Sequence, residues 1–549
     1  MRAMFKTGCR YWHTLRYLKM TQIVGRVQQR FKRAKLDLSA CPEINVLTQH
    51  WLQPARQPVR MLGQNTVCFL NETHDITCAS DWNHPQWAKL WLYNLHYFDD
   101  LSALHAEQRV AWHRAWVQRW VDENAPGRGN GWEPYPSSLR IVNWVKWALA
   151  GNALEPAWMH SLAVQTRYLA ANLETHLLGN HLFANAKALM FAGVFFKGAE
   201  ADGWYQVGLN LVNRELREQV LPDGGNFELS TLYHCIFLQD LLDLVNLQRA
   251  GGRALADTIE ARIAAMLRWL QTMCHPDGAI AFFNDAAFGV AASVPEIFEY
   301  GARLSLFADP PAQASPHLTV LPDSGYARVV IGEAVALIDR AAIGPDYLPG
   351  HAHADTLSFE LSLFGQRVMV NSGTSVYGVG AERLRQRGTA AHTTVVVDGA
   401  DSSEVWSGFR VARRASIFAL ESHHANNSIR LSACHDGYQR LAGKPTHGRQ
   451  WQFTDHALVI DDHISGQGQH QIEVVLPLHP AVQVASVDQN KVALAVSGRQ
   501  VEVVFDGEGV LHTHKSTYHP EFGLSVENTQ LIYRVSGRLP IHVITRMAW

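Results

Sequence analysis

The hydrophobic residues of this 549-residue chain change period once. From about Trp82 to Phe307 apolar side chains recur at helical spacing, and after residue 317 they alternate with polar ones as in strands. A chain patterned this way folds as a helical unit followed by a β unit.

The first region contains candidate helices at 104–122, 137–150, 157–176, 181–197, 204–220, 229–249 and 253–273, joined by short links such as HLLGN and LPDGG. Repeated helix–turn–helix units without strand signals between them predict antiparallel hairpins stacked into a solenoid or toroid. The Pro- and Ala-rich segment ADPPAQASPH, 308–317, marks the boundary. Beyond it, YARVVIGEAVALIDR, TLSFELSLFGQRVMVNSG, SIRLSACHDG, QIEVVLPLHP and LPIHVITRMAW are among many short strands ending in Gly, Asp or Asn turns, which predicts a sandwich of large antiparallel sheets. The expected divisions are 1–81, a basic helical start and a mixed segment with VCFLNETHDITCAS as a hairpin; 82–307, helical; and 318–549, β.

Hydrophobic residues at 47% and charged residues at 18% describe a globular chain, too long for one ordinary core. A formal net charge of −2 offers no basic excess to neutralise phosphates, so nucleic acid is not an expected partner. The 28 histidines and 17 tryptophans suit proton chemistry and the stacking of sugar rings. Seven scattered cysteines without CxxC spacing indicate neither a disulfide framework nor a thiolate zinc site. The basic N-terminus never reaches the unbroken apolar run of a signal peptide or membrane span, so a cytoplasmic location is the expectation from sequence. Its Tyr, Trp, Leu and Ile among Arg and Lys predict an amphipathic helix docked on its own domain, in preference to one on a membrane surface.

Three groups of residues could carry chemistry. In HAHAD, His351, His353 and Asp355 share one face if the segment is extended. With Asn371 at the end of the next strand and His392 opening HTTVVVDG, His353, His392 and an oxygen donor near Asn371 make a three-ligand zinc site. The alternative is that the histidines satisfy buried backbone groups and Asp355 caps a turn. In GNHLFANAKAL, Asn180 and His181 open a helix, where Asn is a good N-cap and free N–H groups favour an anion. Tyr233 lies early in a helix after a Gly-rich turn, and matters only if it faces Asn180 and His181. The stretches WLYNLHYFDD, GWEPYPSSLRIVNW and EVWSGFRVARR, with Trp132 and Trp406, are candidates to line sugar subsites. NDAAFG, 284–289, is a polar loop with no assigned role.

HAHADTLSFELSLFGQRVMVNSGT followed by TAAHTTVVVDG closely resembles the C-terminal signature of the heparinase II/III-like polysaccharide lyases, and GNHLFANAKAL and DGGNFELSTLY resemble the Asn-His and tyrosine segments of their helical domain. The resemblance implies an α+β multidomain fold, an incomplete (α/α) toroid followed by a large antiparallel β-sandwich, with the active site in the cleft between them. It implies β-elimination at a uronic acid: Asn180 and His181 polarise the carboxylate with His351 assisting, Tyr233 acts as general acid and base, and His353, Asn371 and His392 match metal-ligand positions. Two departures stand out. Asn371 replaces an aspartate, and RLRQRG replaces a segment that carries a second tyrosine, for which Tyr377 or Tyr347 would substitute. Arg383, Arg385 and Arg387 there would hold uronate or sulfate as bidentate partners, or form a solvated loop.

The expected function is cleavage of an acidic, uronate-containing polysaccharide, a bacterial exopolysaccharide or glycosaminoglycan-like chain. Zinc is an optional metal and no organic cofactor is implied. A hydrolase on uronic-acid glycosides and a non-catalytic polysaccharide-binding or synthesis-associated module are the alternatives. The resemblance also implies export, against the reading of the N-terminus.

Overall fold

The computed structural model describes residues 2–32, 35–47, 49–256, 258–308, 315–425 and 427–549, with side chains from residue 7 onward. Most of the expected boundary segment, 309–314, lies outside the described residues.

The helical region runs through Val110–Glu123, Pro134–Leu149, Pro156–Ala170, Gly179–Phe195, Ala199–Gln219, Thr231–Gly251, Ile259–Thr272 and Val294–Arg303. VCFLNETHDITCAS forms the expected hairpin, Thr66–Phe69 against Glu72–Asp75. Gly179–Phe195 is enclosed on every side, all but Asn180 and His181 of its residues being buried, which makes it the central helix of this half. Two glycines let it lie tightly and antiparallel on Ala199–Gln219. A Cβ on Gly193 would stand 2.7 Å from the carbonyl oxygen of Ala201, and one on Gly208 2.7 Å from that of Ala186.

The strands form three large antiparallel sheets, of five strands from His317 to Met369, eight strands including Ile417–Ala425 and Ile541–Ala548, and four strands including Val395–Val397 and Gln469–Pro477. Alternation along Thr446–Thr454 buries His447, Arg449, Trp451 and Phe453, the last two in a core shared with Leu361, Val474 and Leu531, while the positions between them are half-buried. The chain is therefore a helical region followed by packed β-sheets.

The two halves are bonded together along their boundary. Asp223 accepts from the backbone N–H and the hydroxyl of Ser324 at 2.7 and 2.8 Å, and Tyr326 donates to the carbonyl of Leu229 at 2.6 Å. His275 contacts Ser362 and Glu360 at 2.8 Å each. The N-terminus forms two helices, Arg2–Leu15 and Met20–Phe31, that touch both halves: Tyr11 packs edge-on against Trp406, and Lys19 pairs with Glu218. Among the described residues no helix is long and apolar enough to cross a membrane.

Candidate active site

A cleft of about 1100 Å³ lies where helices, strands and the N-terminal helices meet. Asn180, His181, Tyr233, His351 and Tyr377 all line it. Local sequence explains the placement of each. Gly179 takes φ +55° at the start of the central helix, presenting Asn180 and His181 at its mouth. Ser230 caps Thr231–Gly251 by accepting from the N–H of Tyr233 at 3.1 Å, which fixes the tyrosine in the first turn.

The hydroxyls of Tyr233 and Tyr377 are 3.0 Å apart. The ring of His351 stacks on that of Tyr233, centroids 3.7 Å apart. His351 Nδ1 donates to Asp285 Oδ2 at 2.9 Å, since a carboxylate can only accept. Burial, foremost, pushes both tyrosine hydroxyls well above the ordinary phenol range, so both are protonated in the resting site.

Asp285 is the hub of the site and lies in NDAAFG, the loop to which sequence reasoning gave no role. Burial alone would raise its carboxyl. Arg383, which grips both oxygens, with the hydrogen bonds of His351 and His353, overcomes that and holds it well below the usual carboxylate range. The signal was present in FFNDAAFG: a carboxylate among residues destined for the interior requires a cationic partner. Glu228, in the motif before Tyr233, was also passed over. It is buried on the cleft wall 3.6 Å from His351 Nε2, and burial pushes its carboxyl up against the pull of His351 and His181.

Several expectations need correction. His351, His353 and Asp355 do not lie on a strand, which begins only at Phe359; His351 and His353 come together because both reach Asp285. Asp355 accepts from the N–H of Asn284 at 3.0 Å, supporting the loop that carries Asp285. Arg383 and Arg387 are buried and do not line the cleft: Arg383 is spent on Asp285, and Arg387 on the carbonyls of Ala352 and Gly408. Arg385 pairs with Glu382 at 2.7 Å, away from the cleft. Trp132 is buried in the helical core against Trp120, and Trp406 donates to Thr14, docking the first helix. The aromatic stretches do reach the cleft, through Tyr93, Tyr97, Tyr135 and Phe409. Of the two substitute tyrosines, Tyr377 faces Tyr233, whereas Tyr347 bonds Glu218 at 2.6 Å.

The expected metal site assembles in part. His353 Nδ1 and His392 Nε2 are 3.1 Å apart, close to the separation of two ligands on one tetrahedral ion. Asn371 does not complete the set. Its amide nitrogen donates to the carbonyl of Phe282 at 2.8 Å and its oxygen accepts from the N–H of Thr393 at 3.2 Å. Among the described residues no three His, Cys, Asp or Glu side chains converge as a ligand group. The residues present therefore do not fit a three-ligand zinc.

A helical half and a β half thus share one cleft, with a tyrosine pair and a carboxylate-oriented histidine inside it. The chain belongs to the heparinase II/III family: the profile "Heparinase II/III N-terminus" matches residues 69–312, and "Heparinase II/III-like, C-terminal" matches 313–545. It is 26% identical over 332 residues to a heparin-sulfate lyase of Pedobacter heparinus, covering 54% of this chain and 49% of that protein. A heparin-sulfate lyase of Bacteroides stercoris is 28% identical over 248 residues, 40% and 36% of the two chains. The chain thus aligns with half or less of the length of these curated relatives. A crystal structure of heparinase III shares the fold with TM-score 0.70 at 17% identity, covering 85% of this chain and 79% of that one. A second heparinase III does so with TM-score 0.65 at 18% identity, over 86% and 81%.

Proposed function

We propose that the chain is a polysaccharide lyase that cleaves a uronate-containing acidic polysaccharide by β-elimination in this cleft. The observation that carries the reading is the Tyr233–Tyr377 hydroxyl pair with His351 stacked on Tyr233, in one cleft with Asn180 and His181. Family membership and the heparin-sulfate lyases among its relatives support the same chemistry.

Elimination breaks the C5–H bond and the bond from C4 to the leaving oxygen, and forms a C4–C5 double bond. Three tasks follow. Asn180 and His181 meet the substrate carboxylate and stabilise the charge that moves onto it. His351, its Nδ1–H held by Asp285, accepts the C5 proton at Nε2. Tyr233, protonated at rest, gives its proton to the leaving oxygen, and Tyr377 donates a hydrogen bond to the phenolate that forms. Tyr93, Tyr97, Tyr135 and Phe409 offer stacking faces for neighbouring sugars.

The helical hairpins are read as an incomplete toroid, with the protein divided at 1–81, 82–307 and 318–549; the meeting of the two family profiles at 312 and 313 supports a boundary between the last two. Among the described residues, a zinc ion would have only His353 and His392 as ligands. Digesting a panel of uronate-containing polysaccharides while following ultraviolet absorbance tests the reaction: an unsaturated-uronate band is expected, and new reducing ends without that band would assign a hydrolase instead.

A further inference from the structure

The second helix, Met20–Phe31, is docked with its polar side inward. Its buried positions are Gln22 and Gly25, with Gln29 half-buried. Gln22 donates to the carbonyl of Tyr347 at 3.2 Å, and Gly25 sits so close to His176 that a Cβ there would stand 2.7 Å from the histidine Cβ. Lys19, just before the helix, pairs with Glu218 and lies 3.6 Å over the ring of Tyr347. These are polar and close backbone contacts, and they use none of the large apolar side chains.

Those side chains point outward. Met20, Ile23, Val24, Val27 and Phe31 follow the spacing of a single helical stripe, and they are 69, 42, 45, 55 and 81% exposed. Arg26 and Arg30 run along one border of the stripe and Lys32 lies past its end, all three exposed. In the preceding helix Trp12 is 66% exposed. Residues 1–36 contain ten Lys and Arg and no Asp or Glu, in a chain whose formal net charge is −2. A contiguous apolar stripe left in water marks a surface that meets something else. The concentration of positive charge beside it selects the occupant.

We propose that this helix face docks on an anionic lipid surface, the apolar stripe entering the headgroup boundary and the Arg and Lys residues meeting the lipid phosphates. A protein partner would need an acidic rim around an apolar groove, whereas an anionic bilayer supplies both features over any area. Leu15, Leu18 and Arg26 also line the rim of the cleft, so docking sets the cleft mouth beside the lipid. The inference does not depend on the chemistry proposed for the cleft.

Flotation of the full chain with vesicles tests it, comparing phosphatidylcholine alone with phosphatidylcholine containing phosphatidylglycerol. The chain is expected to float with the phosphatidylglycerol vesicles, less so as salt is raised, and to stay behind with phosphatidylcholine alone. Val27→Glu with Phe31→Glu should lower the bound fraction at least about tenfold. Arg30→Glu with Lys32→Glu should lower it comparably, with an unchanged melting temperature and unchanged turnover of soluble polysaccharide. Equal partition of wild type and both variants overturns the proposal. So does a wild-type dimer, bound to neither vesicle, that Val27→Glu with Phe31→Glu converts to monomer, since that assigns the face to a second copy of the chain.

Discussion

Tyr233 and Tyr377, 144 residues apart in the chain, place their hydroxyl oxygens 3.0 Å from each other across the junction of helices and strands. One hydroxyl comes from the first turn of a helix and the other from a loop beyond a strand, so neither half of the protein holds the pair alone. Tyr233→Phe is expected to lower kcat by roughly 10²–10⁴, the range for a lost general acid. Tyr377→Phe should cost less, because it removes the bond that steadies Tyr233 and a longer contact to His351 Nδ1 at 3.4 Å but no proton donor to the leaving oxygen. The double variant should resemble Tyr233→Phe alone; additive losses in a mutant cycle on kcat would show that the hydroxyls act separately.

The grip of Arg383 on Asp285 holds a buried charge pair beneath the site. Removing one partner strands the other, so Arg383→Ala should lower unfolding free energy by about 3–5 kcal/mol. Arg383→Lys keeps the charge without the two-pronged geometry and should fall in between. Urea unfolding of the three proteins measures this, and a loss below about 1 kcal/mol for Arg383→Ala would contradict the burial argument.

Asp462 predicts an acid limit to stability. It accepts from Arg449 at 2.7 and 2.9 Å and from His447 at 2.7 Å within the β-sheet core. Burial raises its carboxyl, but Arg449 and His447 outweigh that and hold it at about 2. Because the folded value is depressed below an unfolded value of about 4, the contribution is present above about pH 4 and lost as pH falls toward 2. It amounts to about 2 kcal/mol. Denaturant unfolding between those pH values should show the slope, and Asp462→Asn should flatten it; an unchanged slope would place the acid sensitivity elsewhere.

Metal content follows from the commitment of the Asn371 amide to Phe282 and Thr393. Zinc should be well below one ion per chain in the purified protein, and chelator should leave turnover and melting temperature unchanged. A stoichiometric ion lost together with stability on chelation would mean that Asn371 turns around to bind it. Asn371→Asp supplies the missing carboxylate and should raise zinc occupancy.

The sequence by itself determined the order of the two halves, because hydrophobic period is a local property that each segment carries whatever it later packs against. It also placed Asn180 and His181 at a helix start and Tyr233 early in a helix after a Gly-rich turn, since capping and turn chemistry act over a few residues. Tertiary structure decided which groups serve the cleft and which serve the fold. Asp285 acquires its role from Arg383, 98 residues away, and from His351, 66 residues away. Arg383 and Arg387 read as open charge in RLRQRG and are buried in fact, while Trp132 gives way to Tyr135 in the same stretch. Periodicity records how often a side chain faces inward; the partner it finds there depends on packing between distant segments, and a buried charge is settled by that partner alone.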